Sequence, residues 1–460
     1  MKTRVPRYAL ILSAMVLGMA ACLWSPCDAS AFCGFYVGGA GASLYNHASQ
    51  VAMVRNGDRT VISLMNDYEG PLDEFALVVP VPVVLQKGQV HLGDREIFKK
   101  LDAYSTPRLV EYFDPDPCEL LRPMAEARAA APMLSMNAAG ADSARSLGVK
   151  IEATFAVGEY DIVILSAKES TGLETWLTQN GYQIPYGARR ALEPYLRQNL
   201  KFFVAKVNLK EQKRTGLSYL RPLQFAFESP KFMLPIRLGM INAQGPQDLV
   251  MYLLTRDGRV ETTNYRTVKM PTGVEIPEYV REEFGDFYKA SFAHQVSVND
   301  MRAVFTEYVW SMGWCDPCAA PPLSQDELRH LGVFWLDGPQ SQLPLQRYNY
   351  PPLPPSGPMP VMLTRLHVRY SADTFPEDLM FQETQDQENF QARYVVQHPW
   401  KGSPEACPQA RSYFGQLASR RMRDAQNLAD LTGWNLDDVI KKAGLASGGR
   451  PSPWWSSIWD

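Results

Sequence analysis

Trp314-Cys315-Asp316-Pro317-Cys318 holds the two side chains in this sequence whose spacing most suggests chemistry. A CxxC pair with proline before its second cysteine, following an aromatic-rich strand, has the arrangement used in thiol–disulfide exchange. That reaction needs the first sulfur as a thiolate, stabilised at a helix N-terminus for attack on a disulfide. Pro321 and Pro322 follow at once and break such a helix after its first turn. The flanking segments also lack a βαβ unit. The pair therefore reads first as disulfide material, bridged within the motif or to Cys118 or Cys407. The alternative is a thiol–disulfide oxidoreductase working through Cys315 and Cys318. A zinc site is the third reading, with His330 and Cys407 downstream, but no second CxxC or HxxxH completes four ligands.

Other constellations are weaker. Gly38-Gly39-Ala40-Gly41 lacks the third glycine of a dinucleotide loop, since Leu44 stands there, and a hairpin follows where phosphates need a helix N-terminus. Asp114-Pro115-Asp116 pairs two carboxylates, yet no bidentate Glu or EF-hand spacing accompanies it, so it reads as a turn. The six histidines are scattered, and GxSxG and SxxK are missing. No catalytic residue, metal ligand or cofactor is assigned beyond the Cys315/Cys318 alternative.

The start of the chain reads as an export signal. Lys2, Arg4 and Arg7 precede the apolar run 8–21, Ser25 and Pro26 break it, and Ala29-Ser30-Ala31 gives a small-x-small cleavage site, so residues 1–31 are a cleavable signal peptide. The run falls short of the ~18–20 apolar residues that a membrane span needs. Met19-Ala20-Ala21-Cys22 offers a rival site resembling a lipobox, with Cys22 acylated. Cleavage after Ala31 leaves Cys33, Cys118, Cys315, Cys318 and Cys407 as disulfide candidates, an odd set. Lipidation at Cys22 retains Cys27 and makes six. Membrane attachment is expected only through a lipidated Cys22, and the location is periplasmic or secreted.

Composition narrows the partners. Hydrophobic residues at 46% and aromatics at 11% support a packed core. Loss of Lys2, Arg4, Arg7 and Asp28 with the leader takes the formal charge from −3 to −5, so no basic surplus exists to hold nucleic acid. The partner is an unidentified envelope component or ligand.

The elements that must position these residues follow from periodicity and turn chemistry. Asn56-Gly57-Asp58 and Gly158 mark hairpins, because glycine there accepts the positive φ of a tight turn. Pro80 and Pro82 stop a strand or hold it at an edge. Residues 94–103, 171–180, 188–200, 277–293, 408–431 and 436–442 have helical patterns, and 201–209, 220–227, 249–256, 260–266, 303–310, 361–370 and 390–397 read as strands. Residues 338–360 hold eight prolines and form an extended loop. Trp454, Trp455 and Trp459 end the chain in an aromatic tail suited to stacking on a partner or on the protein itself. The divisions are 1–31 signal, 32–118 N-terminal β-rich part and 119–148 flexible insertion. A main α+β part with a helical hairpin at 171–200 covers 149–398, and 399–460 is a C-terminal helical segment and tail. The expected fold class is α+β: mainly antiparallel sheet with helices to one side, an inserted helical hairpin and C-terminal helices.

Several segments in order resemble one family. They are Ala76-Leu-Val-Val-Pro-Val-Pro82, Tyr112-Phe-Asp-Pro-Asp-Pro-Cys118, Trp176-Leu-Thr-Gln-Asn-Gly-Tyr182, Leu234-Pro-Ile-Arg-Leu-Gly239, Trp314-Cys-Asp-Pro-Cys318 and Leu363-Thr-Arg-Leu366. Together they are similar to the bacterial domain of unknown function 2330. The resemblance implies export, a largely β body and cysteines near its start and middle. It brings no accepted substrate, so no catalytic residue is carried over. The expected function is a non-enzymatic, disulfide-stabilised binding or scaffold protein of the envelope.

Overall fold

Strands that are apolar on both faces build the centre of the molecule. The computed structural model describes residues 35–37, 45–46, 49–65, 68–69, 76–119, 150–179, 187–217, 219–242, 245–313, 320–337 and 359–445. Ser49–Asn56 buries Val51 and Met53 on one side and Ala52 and Val54 on the other, as a strand does when both sides of its sheet are covered. Gln247–Thr255 behaves alike, with Met251 and Leu253 on one side and Tyr252 and Leu254 on the other.

These two strands lie at the middle of a nine-stranded sheet. Its order is Arg266–Lys269, Ala303–Ser311, Met362–Tyr370, Gln247–Thr255, Ser49–Asn56, Arg59–Met65, Leu223–Glu228 and Val90–Leu92, with Phe390–Gln391 also paired to Ala303–Ser311. A five-stranded sheet runs Phe35–Val37, Ala76–Val81, Lys201–Val207, Tyr160–Ser166 and Lys150–Val157. The two share one core, where Met53, Leu64 and Met251 meet Val79, Ile162 and Phe203. Pairing is mostly antiparallel, in keeping with the α+β expectation. Parallel pairs join Ser49–Asn56 to Gln247–Thr255 and Arg266–Lys269 to Ala303–Ser311. They also join all members of a small sheet of Val274–Glu275, Arg393–His398 and Arg108–Phe113.

Helices cover both outer faces, where one was expected. Arg95–Ser105, capped by the Asp94 carboxylate, sets Ile97, Phe98 and Leu101 against the nine-stranded sheet. The hairpin of Ser170–Gln179 and Ala188–Arg197 sets Leu173, Leu177 and Leu192 against the other. The reason lies in the strands: a sheet apolar on both faces requires a cover on each. The small parallel sheet is covered by Phe284–Val298, Pro408–Thr432 and Leu436–Lys442 around Phe287, Tyr394, Val396 and Leu428.

Local expectations held in their chemistry more than in their bounds. Gly57 and Gly158 have φ of 58° and 54° at their hairpin turns. The Ala76–Val81 strand continues through Pro80, which stands opposite Phe202 in the ladder with Lys201–Val207. The strand expected at 390–397 splits at Ala392 between two sheets. The helix expected from 277 begins as a 3₁₀ turn, Glu278–Glu283, and becomes α-helical over Phe284–Val298.

A buried ion cluster joins the nine-stranded sheet to its covering helices. The register of Ala303–Ser311 slips at Glu307, a bulge that turns Glu307 and Tyr308 both toward the helix-covered face. Glu307 is wholly buried; its Oε2 accepts from Arg365 Nε at 2.6 Å and its Oε1 lies 2.7 Å from His367 Nδ1. Tyr288 of the Phe284–Val298 helix also donates to Glu307. Arg365 Nη1 reaches Asp102 of the Arg95–Ser105 helix at 2.6 Å, and Tyr252 donates to the same carboxylate at 3.1 Å. Burial alone raises the Glu307 carboxyl pKa. His367 and Arg365 outweigh that and hold it at about 2.

Glu307→Gln should therefore cost about 3–5 kcal/mol, because it leaves Arg365 buried beside a neutral partner. Urea unfolding should show a lowered midpoint at unchanged slope. Glu307→Leu with Arg365→Met should recover part of the loss, the rest remaining because Tyr288 and His367 lose their acceptor. The pKa is depressed, so the stability from this carboxylate is present above the ordinary carboxylate range and is lost as pH falls toward 2. The glutamine variant should flatten that acid limb.

Candidate ligand pocket at the disulfide-tied end of the chain

Two parallel strands deliver their following segments to one place. Arg108–Phe113 lies in register with Arg393–His398, from Arg108 opposite Arg393 to Phe113 opposite His398, and Asp114 N donates to His398 O at 2.9 Å. The chain leaving each strand therefore emerges beside the other, and Cys118 and Cys407 join in a disulfide across 289 residues of sequence. This corrects the expectation of a bridge from the CxxC pair to either of them: both sulfurs are taken. Cys315 and Cys318 themselves, and Cys22, Cys27 and Cys33, lie outside the described residues. So do Gly38–Gly41, the greater part of the 119–148 insertion and of the proline-rich loop, and the tryptophan tail.

The Asp-Pro-Asp segment organises protein groups. Asp116 Oδ1 accepts from Cys118 N at 2.8 Å, a turn that aims the cysteine. Asp114 Oδ1 accepts from Gln397 Nε2 at 2.7 Å, and Oδ2 accepts from Arg420 Nη2 at 2.6 Å and from the Tyr413 hydroxyl. Burial raises the Asp114 pKa, but the donors from Arg420, Tyr413 and Gln397 win and hold it below its ordinary value. Among the described residues no group of three or more His, Cys, Asp or Glu is placed to hold a metal ion.

Gln397 and Arg420, both held by Asp114, form part of the wall of a cavity of about 220 Å³. Its other walls come from Ile276–Tyr279 and from the Leu436–Lys442 helix with Ala443 and Leu445. Three polar atoms on these walls are buried without a hydrogen-bond partner: Tyr279 Oη, Arg420 Nε and Asp424 Oδ1. Native interiors leave few such atoms, and three residues that carry one stand together in the wall of this cavity. Rim cations are already paired, Arg421 with Glu278 at 3.9 Å and Lys442 with Glu283.

Asp424 is the unusual member. It is 7% exposed, and burial first, then the nearby Glu275, push its pKa up to about 6 against the pull of Arg420, Arg423 and Arg421. A buried carboxyl with an unmatched oxygen lowers stability when ionised, a pattern met in groups held for binding. The sequence carried one readable sign of it. Asp424 falls at i, i+4 and i+7 with Leu428 and Leu431, on the stripe that the Pro408–Thr432 helix buries. Among the cations Arg420, Arg421 and Arg423 it reads instead as part of a solvated face.

Two of the described histidines take part in local networks. His367 stacks on Phe292 at 3.7 Å between ring centroids while bonded to Glu307, and His398 stacks on Phe113 at 4.5 Å with Nε2 at 2.6 Å from Glu111. Phe113, 72% exposed, and Tyr112 leave two aromatic side chains at the surface.

Fold and site thus define an α+β protein, two packed sheets under helices, with a polar cavity closed by a disulfide-tied C-terminal helix pair. The chain belongs to the bacterial family described as "uncharacterized protein conserved in bacteria (DUF2330)", whose model matches residues 27–382. No curated protein and no solved structure matches it. The match covers Ile276–Tyr279 and Cys118 but ends before Gln397, Cys407, Arg420, Asp424 and Lys442, so most of the cavity wall is built by chain beyond the matched residues. No helix among the described residues is long and apolar enough to cross a membrane.

Two outcomes follow for stability. Asp424 has a raised pKa, so its burden is absent well below the ordinary value of 3.8, where it is protonated folded or unfolded, grows as pH rises past that value and is full above about 6. Asp424→Asn should raise the thermal midpoint at pH 7.5, by up to about 3 kcal/mol of stability, and shift it far less at pH ~3. Cys407→Ser should cost ~2–5 kcal/mol and open the start of the Pro408–Thr432 helix to limited proteolysis.

Proposed function

We propose that this chain is an exported bacterial envelope protein that binds a small polar ligand in the cavity lined by Asp424, Arg420 and Tyr279, and that it carries out no chemistry on it. The observation that carries the reading is a cavity of about 220 Å³ with the buried carboxyl residue Asp424 in its wall beside Arg420 and Tyr279. The Cys118–Cys407 bridge supports export, because such bonds persist in oxidising compartments, and the apolar leader ending in Ala29-Ser30-Ala31 supports it independently. With that bridge made, cleavage after Ala31 leaves Cys33, Cys315 and Cys318, an odd number, whereas acylation of Cys22 leaves Cys27 also and an even one.

The test uses protein made with its own leader and taken from the bacterial envelope under non-denaturing conditions. Intact mass should show a leader cleaved after Ala31 or before Cys22, and native mass spectrometry should show a bound small molecule that Asp424→Asn loses. Retention of an uncut leader in the cytoplasm overturns export. An unliganded mass, together with no thermal shift on adding envelope metabolites, overturns binding.

Thiol–disulfide exchange at Cys315 and Cys318 is the competing reading, and it rests on their spacing. Titration of the trapped pair in redox buffers decides it. A potential below about −300 mV marks a structural bridge, and one between about −120 and −270 mV puts oxidoreductase first.

A further inference from the structure

We propose that the free edge of the Arg108–Phe113 strand takes an extended acidic peptide of a partner protein as an added β-strand, in the groove between that edge and the Phe284–Val298 helix. This site is separate from the cavity beside Asp424 and does not rest on it.

The strand leaves half of its backbone groups unpaired. In the small parallel sheet it follows Val274–Glu275 and Arg393–His398 in order, and among the described residues it pairs with Arg393–His398 alone. Arg108 N donates to Ala392 O and Asp114 N to His398 O, so the even-numbered residues turn their backbone groups into the sheet. The N–H and C=O of Leu109, Glu111 and Phe113 therefore point outward. Such a row of groups is the template for strand addition.

An edge becomes a site when something bounds it, and this one borders an open groove of about 770 Å³. One wall is the continuous run 106–112, with residues from both faces of the sheet, as the edge of a strand presents them. The other is Phe284, Gly285, Tyr288 and Lys289 of the helix. Gly285 keeps that wall open, since a Cβ built there meets no atom within 4 Å. Leu109, Phe284 and Tyr288 are only partly buried and offer apolar contact to alternate side chains of an incoming strand.

The charges select the peptide. Lys289 is exposed and has no hydrogen-bond or ion-pair partner among the described residues. Arg108 donates to the Ala103 and Tyr104 carbonyls, at 2.9 and 2.7 Å, and meets no carboxylate there. Glu111 is the acid of the wall, and it already has His398 at 2.6 Å and Arg281 at 3.7 Å. Glu282, Glu283 and Asp286 stand outside the wall. The groove thus carries uncompensated positive charge, which favours carboxylates on the incoming strand and opposes a basic one. A second copy fits less well, because the antiparallel register that uses all three outward residues sets Glu111 opposite Glu111.

The test is panning of a phage-displayed heptapeptide library on the full mature chain, then fluorescence anisotropy with the synthetic form of the tightest binder. Binders should alternate apolar residues with Asp or Glu. N-methylation of every second amide should weaken binding at least about tenfold in one parity and little in the other, because an added strand turns alternate N–H groups to its neighbour. Glu111→Pro removes an outward N–H and should cost at least about tenfold, with Glu111→Gln costing much less. Should the proline variant fail to fold, Gly285→Trp, at an exposed helix position with open space beside it, blocks the groove instead. Lys289→Glu should weaken the acidic binder, and Asp424→Asn should leave it unchanged. No enriched peptide, binders indifferent to Glu111→Pro and Gly285→Trp, or equal loss in both N-methyl parities overturns strand addition. Basic binders that Lys289→Glu strengthens overturn the acidic partner. A dimer that Glu111→Pro dissolves, or binding gained only on deleting residues 446–460, gives the groove to a second copy or to the chain's own tail and overturns the proposal as well.

Discussion

The contact between Glu307 and Arg365 ties two covering helices to the large sheet. Both are buried, and neither charge is tolerable alone in a low-dielectric interior, so every element supplying a neighbour is fixed by the need to keep the pair complete. The bulge at Glu307 exists within that constraint: a regular strand would send alternate side chains to opposite faces, and the extra residue brings Glu307 and Tyr308 to the same one. Asp102 holds the Arg95–Ser105 helix to Arg365, and Tyr288 holds the Phe284–Val298 helix to Glu307. Through Tyr288 and the neighbouring Phe287 the network meets Tyr394, whose ring belongs to the core packed on by Leu428 and Ala425 of the long C-terminal helix. The ion cluster in the large sheet thus sets the platform on which the cavity is built.

Asp114 performs the corresponding task at the other end of that platform. Its two oxygens engage Gln397, Tyr413 and Arg420, three residues remote from it in sequence, and the Cys118–Cys407 bond closes the same corner covalently. A hydrogen-bonded carboxylate fixes directions and a disulfide limits separation, so together they hold the N-terminal part of the Pro408–Thr432 helix against the parallel strands. The cavity lies where this helix, the Leu436–Lys442 helix and the Ile276–Tyr279 segment fail to close completely.

What the sequence revealed followed the range over which each signal acts. Turn glycines at 57 and 158 and the helical spacing of 94–103 are local and were readable, whereas Asp94, counted into that helix, caps it from outside. The α+β class and the helical hairpin followed from periodicity. Covering helices on both outer faces were hidden in plain view, because residues 51–54 and 249–254 are apolar without alternation and so already required cover on each side. The site was harder. Asp114 read as a turn or a metal ligand, since its partners at 397, 413 and 420 are set by a parallel register that no local pattern encodes. Asp424 sat within a run of arginines, and only its spacing from Leu428 and Leu431 betrayed burial. The pairing of Cys118 with Cys407 depended on the same register and could not be chosen over the alternatives by counting cysteines.

Two buried carboxyls in one molecule show why the cavity, and not the ion cluster, is the place to look for function. Glu307 has a partner on each oxygen, and its pKa is driven down to about 2 by charges that never leave it. Nothing further can bind there without displacing what the fold depends on. Asp424 has an oxygen with no partner, a pKa driven up to about 6, and a cavity beside it. Completing Glu307 stabilises the protein from within. Asp424 is left incomplete, and a buried carboxyl that lowers stability when ionised, in the wall of a cavity, is the pattern met in groups held for binding.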